Sequence, residues 1–111
     1  MQFWINKLEE YTNKVLSLDE QTFYELNKYN GKIIAFEFIH TKIKLYITPS
    51  ENGLNIDSKC NKDPDVLIKS SPTNFLKTML PSKYGVADFP VDMQVVGDIT
   101  LAQDFQKIMK N

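Results

Sequence analysis

Between Val91 and Met109 the hydrophobic period of the chain changes from that of a strand to that of a helix across one Gly-Asp step. Val91, Met93 and Val95 alternate with polar or opposite-facing residues, the period-two pattern of a half-buried strand. Gly97-Asp98 turns the chain. Leu101, Ala102, Phe105, Ile108 and Met109 then fall on one stripe of a helix. Thr100 and Gln103 have capping-box spacing, with Asp98 as a competing N-cap just upstream. A helix with such a stripe must lie against something apolar, and the adjacent sheet is the surface within reach.

Composition narrows the class of protein that can supply that surface. The 111 residues suit a single domain over 1–111, large enough to bury roughly two-thirds of its unfolded surface. The hydrophobic share of 42% and charged share of 24% are those of an ordinary globular chain. No apolar run approaches the roughly 20 residues that span a bilayer. The start, Met1 to Glu10, has neither the basic region nor the unbroken apolar core of a signal peptide. A single cysteine, Cys60, excludes an internal disulfide and suits a reducing cytoplasm. All 13 basic residues are lysines, set against 14 acidic ones for a net charge of −1. Nucleic-acid binding needs a concentrated basic face, which that balance does not supply.

Upstream, Trp4, Leu8, Tyr11 and Val15, with Ile5, Thr12 and Leu16 beside them, predict an amphipathic helix over 3–16. Ser17 and Glu20 predict the capping box of a second helix that packs through Phe23 and Leu26 and stops at Asn30-Gly31. Strands follow. Ile34, Phe36 and Phe38 share one face. After a His40-Thr41-Lys42 turn, Ile43, Leu45 and Ile47 point one way and Lys44 and Tyr46 the other. Pro49 to Gly53 reads as a loop ending in the hairpin signal Asn-Gly, and Leu54 and Ile56 begin a third strand. Val66, Ile68 and Ser70 make a fourth. Ser71-Pro72 supplies an N-cap and first helical residue for a short helix carrying Phe75, Leu76, Met79 and Leu80. The stretch 81–90 reads as a mobile loop bearing Tyr84, Val86 and Phe89. The order α-α-β-β-β-β-α-β-α, with three strands joined by short connections, predicts an α+β fold with a mostly antiparallel five-stranded sheet.

Catalytic chemistry finds no constellation in this order. His40 is the only histidine and sits in a predicted turn, where it reads as a solvated residue. Cys60 lies in a polar loop with no supporting signature for a nucleophile. Asp57, Asp63 and Asp65 match no calcium loop, and Gly31, Gly53, Gly85 and Gly97 mark separate turns instead of a phosphate cradle. No metal or cofactor is expected, and the chain does not read as an enzyme. Phe3 and Trp4 read first as core residues of the opening helix, with insertion into a membrane interface as the alternative. Met79, Met93 and Met109 read as core filling, or as an adaptable lining for an apolar ligand.

The chain resembles the sterol-carrier-protein type 2 lipid-binding domain. The matching points are Asn30-Gly31-Lys32 leading into the first strand, Asp65-Val66-Leu67-Ile68 entering the fourth, and Val95-Val96-Gly97-Asp98 followed by Ala102-Gln103-Asp104-Phe105. The resemblance runs from about Phe3 to Met109 and rests on the order and spacing of motifs that are each short. It is greatest to the bacterial members that assist ubiquinone biosynthesis. It implies a curved sheet covered by helices and enclosing an apolar tunnel. It also implies a non-enzymatic helper that holds polyprenylated ubiquinone intermediates for the biosynthetic enzymes, with possible peripheral membrane contact. Such relatives usually continue into a C-terminal coiled coil that binds a partner, whereas this sequence ends at Asn111, and they are often arginine-rich where this chain has no arginine.

A prenyl chain presents only hydrocarbon, so its recognition needs apolar volume and no reacting group. The residues expected to face such a lipid are Phe36, Phe38, Leu45, Ile47, Ile56, Phe75, Met79, Met93, Leu101, Phe105 and Met109, with the loop at 81–90 near the tunnel mouth. The alternative is a protein-interaction module with a solid core, docking a partner through its helix faces or through Tyr84–Phe89.

Overall fold

The computed structural model describes residues 2–18, 20–51, 53–79 and 94–109. Two helices, α1 (Gln2–Leu16) and α2 (Glu20–Asn27), precede four strands, β1 (Ile34–Phe38), β2 (Lys44–Ser50), β3 (Gly53–Asp57) and β4 (Val66–Ser70). Helix α3 (Pro72–Met79), strand β5 (Gln94–Gly97) and helix α4 (Ile99–Met109) complete the expected order. The strands form one five-stranded sheet, β3-β2-β1-β4-β5. Three of its pairings are antiparallel and the central β1–β4 pairing is parallel. The fold is α+β, as the alternation of periods predicted.

Register gathers the apolar residues on one face. Phe36 lies opposite Leu45 on one side and Ile68 on the other, and Ile47 bridges Ile34 and Ile56. These side chains join Ile5 and Leu16 of α1, Leu26 of α2, Phe75 of α3 and Leu101, Phe105 and Ile108 of α4 in one core cluster. On the opposite face Tyr46, Ala35, Leu67 and Val96 form a row of neighbours. Beside it, the Glu37 carboxylate meets Lys44 at 3.5 Å and Lys69 at 4.0 Å. All are partly exposed, so these pairs add little stability.

Several local expectations are corrected. The buried stripe of α1 is Ile5, Thr12 and Leu16, while Trp4 and Tyr11 are 45% and 48% exposed. Polar side chains cause this rotation, because α1 seals the edge of the sheet. Asn13 Oδ1 accepts the Leu54 N–H at 2.7 Å, Asn13 Nδ2 donates to the Leu54 carbonyl at 2.9 Å, and Glu9 Oε2 accepts the Ile56 N–H at 2.7 Å. An unpaired strand edge needs such partners, and an apolar stripe could not provide them. Phe3, at 75% exposure, likewise leaves the core.

Ser17 ends α1 instead of opening α2: its N–H bonds the Asn13 carbonyl and its hydroxyl donates to the Lys14 carbonyl. Helix α2 buries Thr22 and Leu26, with Phe23 only half-buried. Pro49 belongs to β2 and is paired with Leu54, so the hairpin closes tightly from Ser50 to Gly53. Pro49 is tolerated there because β1 pairs with β2 only as far as Ile47, so no ladder donor is lost. At α4, Asp98 outcompetes Thr100: its Oδ1 accepts the Leu101 N–H at 3.0 Å and its carbonyl receives the first helical bond, from Ala102. The Ser71 cap holds, its hydroxyl accepting the Asn74 N–H at 3.1 Å. The loop expected at 81–90 lies outside the described residues, as do Val91 and Met93.

Candidate functional site

The sheet face beneath α3 and α4 is built around three rings. Phe75 enters from the first turns of α3 and meets Phe36 edge-on at 4.9 Å and Phe38 at 5.3 Å. Phe36 and Phe75 are fully buried and Phe38 nearly so. Edge-on contacts of this kind add to the area the rings bury. Leu45, Ile47 and Ile56 carry the same face toward β3, and Leu101 and Phe105 cover it from α4. These eight expected lipid-facing residues therefore occupy one apolar cluster. Met79 and Met109 fall on α3 and α4 as expected, but their side chains lie outside what is described, and Met93 lies outside it altogether.

Sequence reading left Ile34, Leu54, Val66 and Ile68 out of the lipid-facing set, although they belong to the same cluster. Ile34 shares its phase with Phe36, and Ile68 its phase with Val66, so the signal was present in the alternation. It also missed Gln106, buried beside Phe105 at 7% exposure with its Oε1 unpartnered. A polar residue on the flank of an apolar stripe carries no mark of burial in sequence.

The motif residues hold the frame together instead of entering chemistry. Asp65 Oδ2 accepts the Ile33 N–H at 2.7 Å and the Asp65 N–H bonds the Ile33 carbonyl at 2.8 Å, locking the starts of β1 and β4. The Asp65 carbonyl in turn receives the Asp98 N–H at 3.0 Å. Gly97 has φ +109°, and a Cβ there would stand 2.7 Å from the Asp65 carbonyl oxygen. Only glycine lets β5 approach this closely before the turn into α4. Asp104 reaches across to α2's end, accepting the Tyr29 hydroxyl at 2.7 Å. That hydrogen bond, then burial and the carboxylates of Asp104, Glu25 and Asp98, hold the Tyr29 phenol above its ordinary value of 10.0.

The histidine and the cysteine sit in loops. His40 is exposed in the β1–β2 turn with φ 67°, and Cys60 is half-buried in the loop after β3. Among the described residues, no three His, Cys, Asp or Glu side chains converge to hold a metal ion. A groove of about 390 Å³ lies outside the expected site, lined by Ser17, Glu20, Phe23, Tyr24 and Asn27. Near it the molecule leaves Leu18 and Tyr24 exposed, and on α1 Phe3, Trp4 and Tyr11.

The model of the SCP-2 sterol transfer family matches residues 12–110, from the buried face of α1 to the end of α4. The chain belongs to that family. Among solved structures, UbiJ-SCP2, a ubiquinone synthesis protein, superposes with a TM-score of 0.79 at 17% identity, covering 97% of this chain and 94% of that one. The stereoselective inverting sec-alkylsulfatase Pisa1 from a Pseudomonas species superposes with a TM-score of 0.61 at 14% identity, over 80% of this chain but only 14% of the sulfatase. No curated protein matches the sequence. At these identities the superpositions establish a shared SCP-2 fold.

Proposed function

We propose that the protein is a non-enzymatic lipid-binding accessory protein that holds an isoprenoid lipid between the sheet and helices α3 and α4. The observation that carries this reading is membership of the SCP-2 sterol transfer family over residues 12–110. The Phe36–Phe38–Phe75 cluster supports it, because a prenyl tail is recognised by apolar surface alone. At roughly 0.8 kcal/mol per buried CH₂, a partly enclosed tail would bind usefully. The similarity to UbiJ-SCP2 supports polyprenylated ubiquinone intermediates as cargo and the ubiquinone-biosynthesis enzymes as partners. Exposed Phe3, Trp4 and Tyr11 on α1 support transient contact with a lipid surface during exchange, in a cytoplasmic setting. None of the described helices is long and apolar enough to cross a membrane.

Titration with a long-chain isoprenoid quinone tests this, using the parent and Met109→Gln, a change in the last turn of α4 where fraying limits the cost. Weaker binding with a melting temperature shifted only slightly is the expected result; equal binding would remove α4's last turn from the site. A second reading, a protein-interaction module, is favoured by the groove along α2 and its exposed Tyr24. It takes precedence if no prenyl lipid binds.

A further inference from the structure

Gln106 is the polar residue that the apolar interior does not account for. It is 7% exposed, and its Oε1 has no hydrogen-bond partner. A buried amide oxygen left unpaired costs free energy that a leucine or methionine at the same place would not. Helical rotation of about 100° per residue sets Gln106 on the flank of α4 opposite Asp104, the residue turned to Tyr29. Ala102, one turn earlier on the Gln106 flank, is buried and contributes only a methyl group. The amide thus lies on the buried Ala102 flank of α4, bordering the stripe of Leu101 and Phe105 that is expected to face lipid.

Two other described side-chain oxygens are buried without partners, Thr12 Oγ1 and Asn27 Oδ1. Thr12 is on α1, and Asn27 lines the groove on α2. Neither belongs to the proposed lipid surface. We propose that the Gln106 amide is the contact for the polar head of the bound lipid, and that it selects heads carrying a hydroxyl over heads whose oxygens only accept. An unpaired carbonyl oxygen needs a donor, and a hydroxyl supplies one while accepting in return from the amide NH₂. Within prenylated rings this favours phenols over quinones and methyl ethers. The inference rests on the lipid-binding reading.

Farnesol and farnesyl methyl ether share a tail and differ in that one donor. Calorimetric titration of both into the parent, Gln106→Leu and Gln106→Met separates the possibilities. The parent should bind farnesol about tenfold more tightly than the ether, the ratio expected for one net hydrogen bond. Either variant should lose that preference. No preference in the parent, or a preference that survives in the variants, overturns the assignment. Failure of both variants to fold would mark the amide as structural and overturn it too. If the parent binds neither lipid, the lipid-binding reading itself falls and takes the proposal with it, whereas equal binding of both leaves that reading standing.

Discussion

The two edges of the sheet are finished in different ways. At β3 the edge is closed: side chains of α1 take the Leu54 and Ile56 amides, and Gly53 lies so near Asn13 that a Cβ would stand 2.9 Å from its Cγ. At β5 the strand has four residues, Gln94, Val96 and Gly97 are exposed, and the chain turns at once into α4. The closed edge is held by polar side chains of α1. The β5 edge is held by backbone, through the Asp65 carbonyl and Gly97.

The largest effect expected from this contrast is that of Gly97→Ala. It combines φ +109° with a clash against a backbone oxygen that cannot swing away, and should cost about 3 kcal/mol or more. A denaturant midpoint within about 0.5 kcal/mol of the parent would refute the backbone account of that edge.

Gly53→Ala comes next, at about 2 kcal/mol, because φ is +123° but the obstacle is the Asn13 side chain. Combining it with Asn13→Ala should cost less than the two changes summed, since the clash is removed. Strict additivity would mean that Asn13 is not the obstacle.

Val96→Lys at the exposed edge should shift stability by less than about 0.5 kcal/mol, given 57% exposure. A loss several times larger would show the β5 edge to be as closed as the other.

The smallest effect concerns the Tyr29–Asp104 bond tying α2 to α4. Its phenol is held above 10.0 in the folded protein, so the folded state retains a proton that the unfolded chain gives up. The stabilisation is fully present below pH 10.0 and is lost as pH rises through the folded value. Urea midpoints of the parent should therefore fall on the alkaline side more steeply than those of Tyr29→Phe. Parallel curves would remove this link.

Much of the fold was legible because its signals are local. Alternation placed Phe36, Leu45 and Ile56 on one face, and Ser71 and Asp98 announced their helices. Eight expected lipid-facing residues share one cluster for the same reason. What escaped depended on partners distant in sequence. The face of α1 could not be assigned without knowing that Asn13 and Glu9 would be spent on a strand edge more than forty residues away. Gln106 escaped because a glutamine's spacing is the same whether it meets water or an apolar interior. Ser17 was misplaced because a serine hydroxyl accepts at a helix start and donates at a helix end with equal ease.

The central claim, that the helix-covered face holds an isoprenoid lipid, is tested most directly by native mass spectrometry of the protein purified from cells. The claim predicts a species heavier by one prenyl lipid, released on denaturation and identifiable after extraction. The bare polypeptide mass alone, both as purified and after incubation with excess isoprenoid quinone, would contradict it.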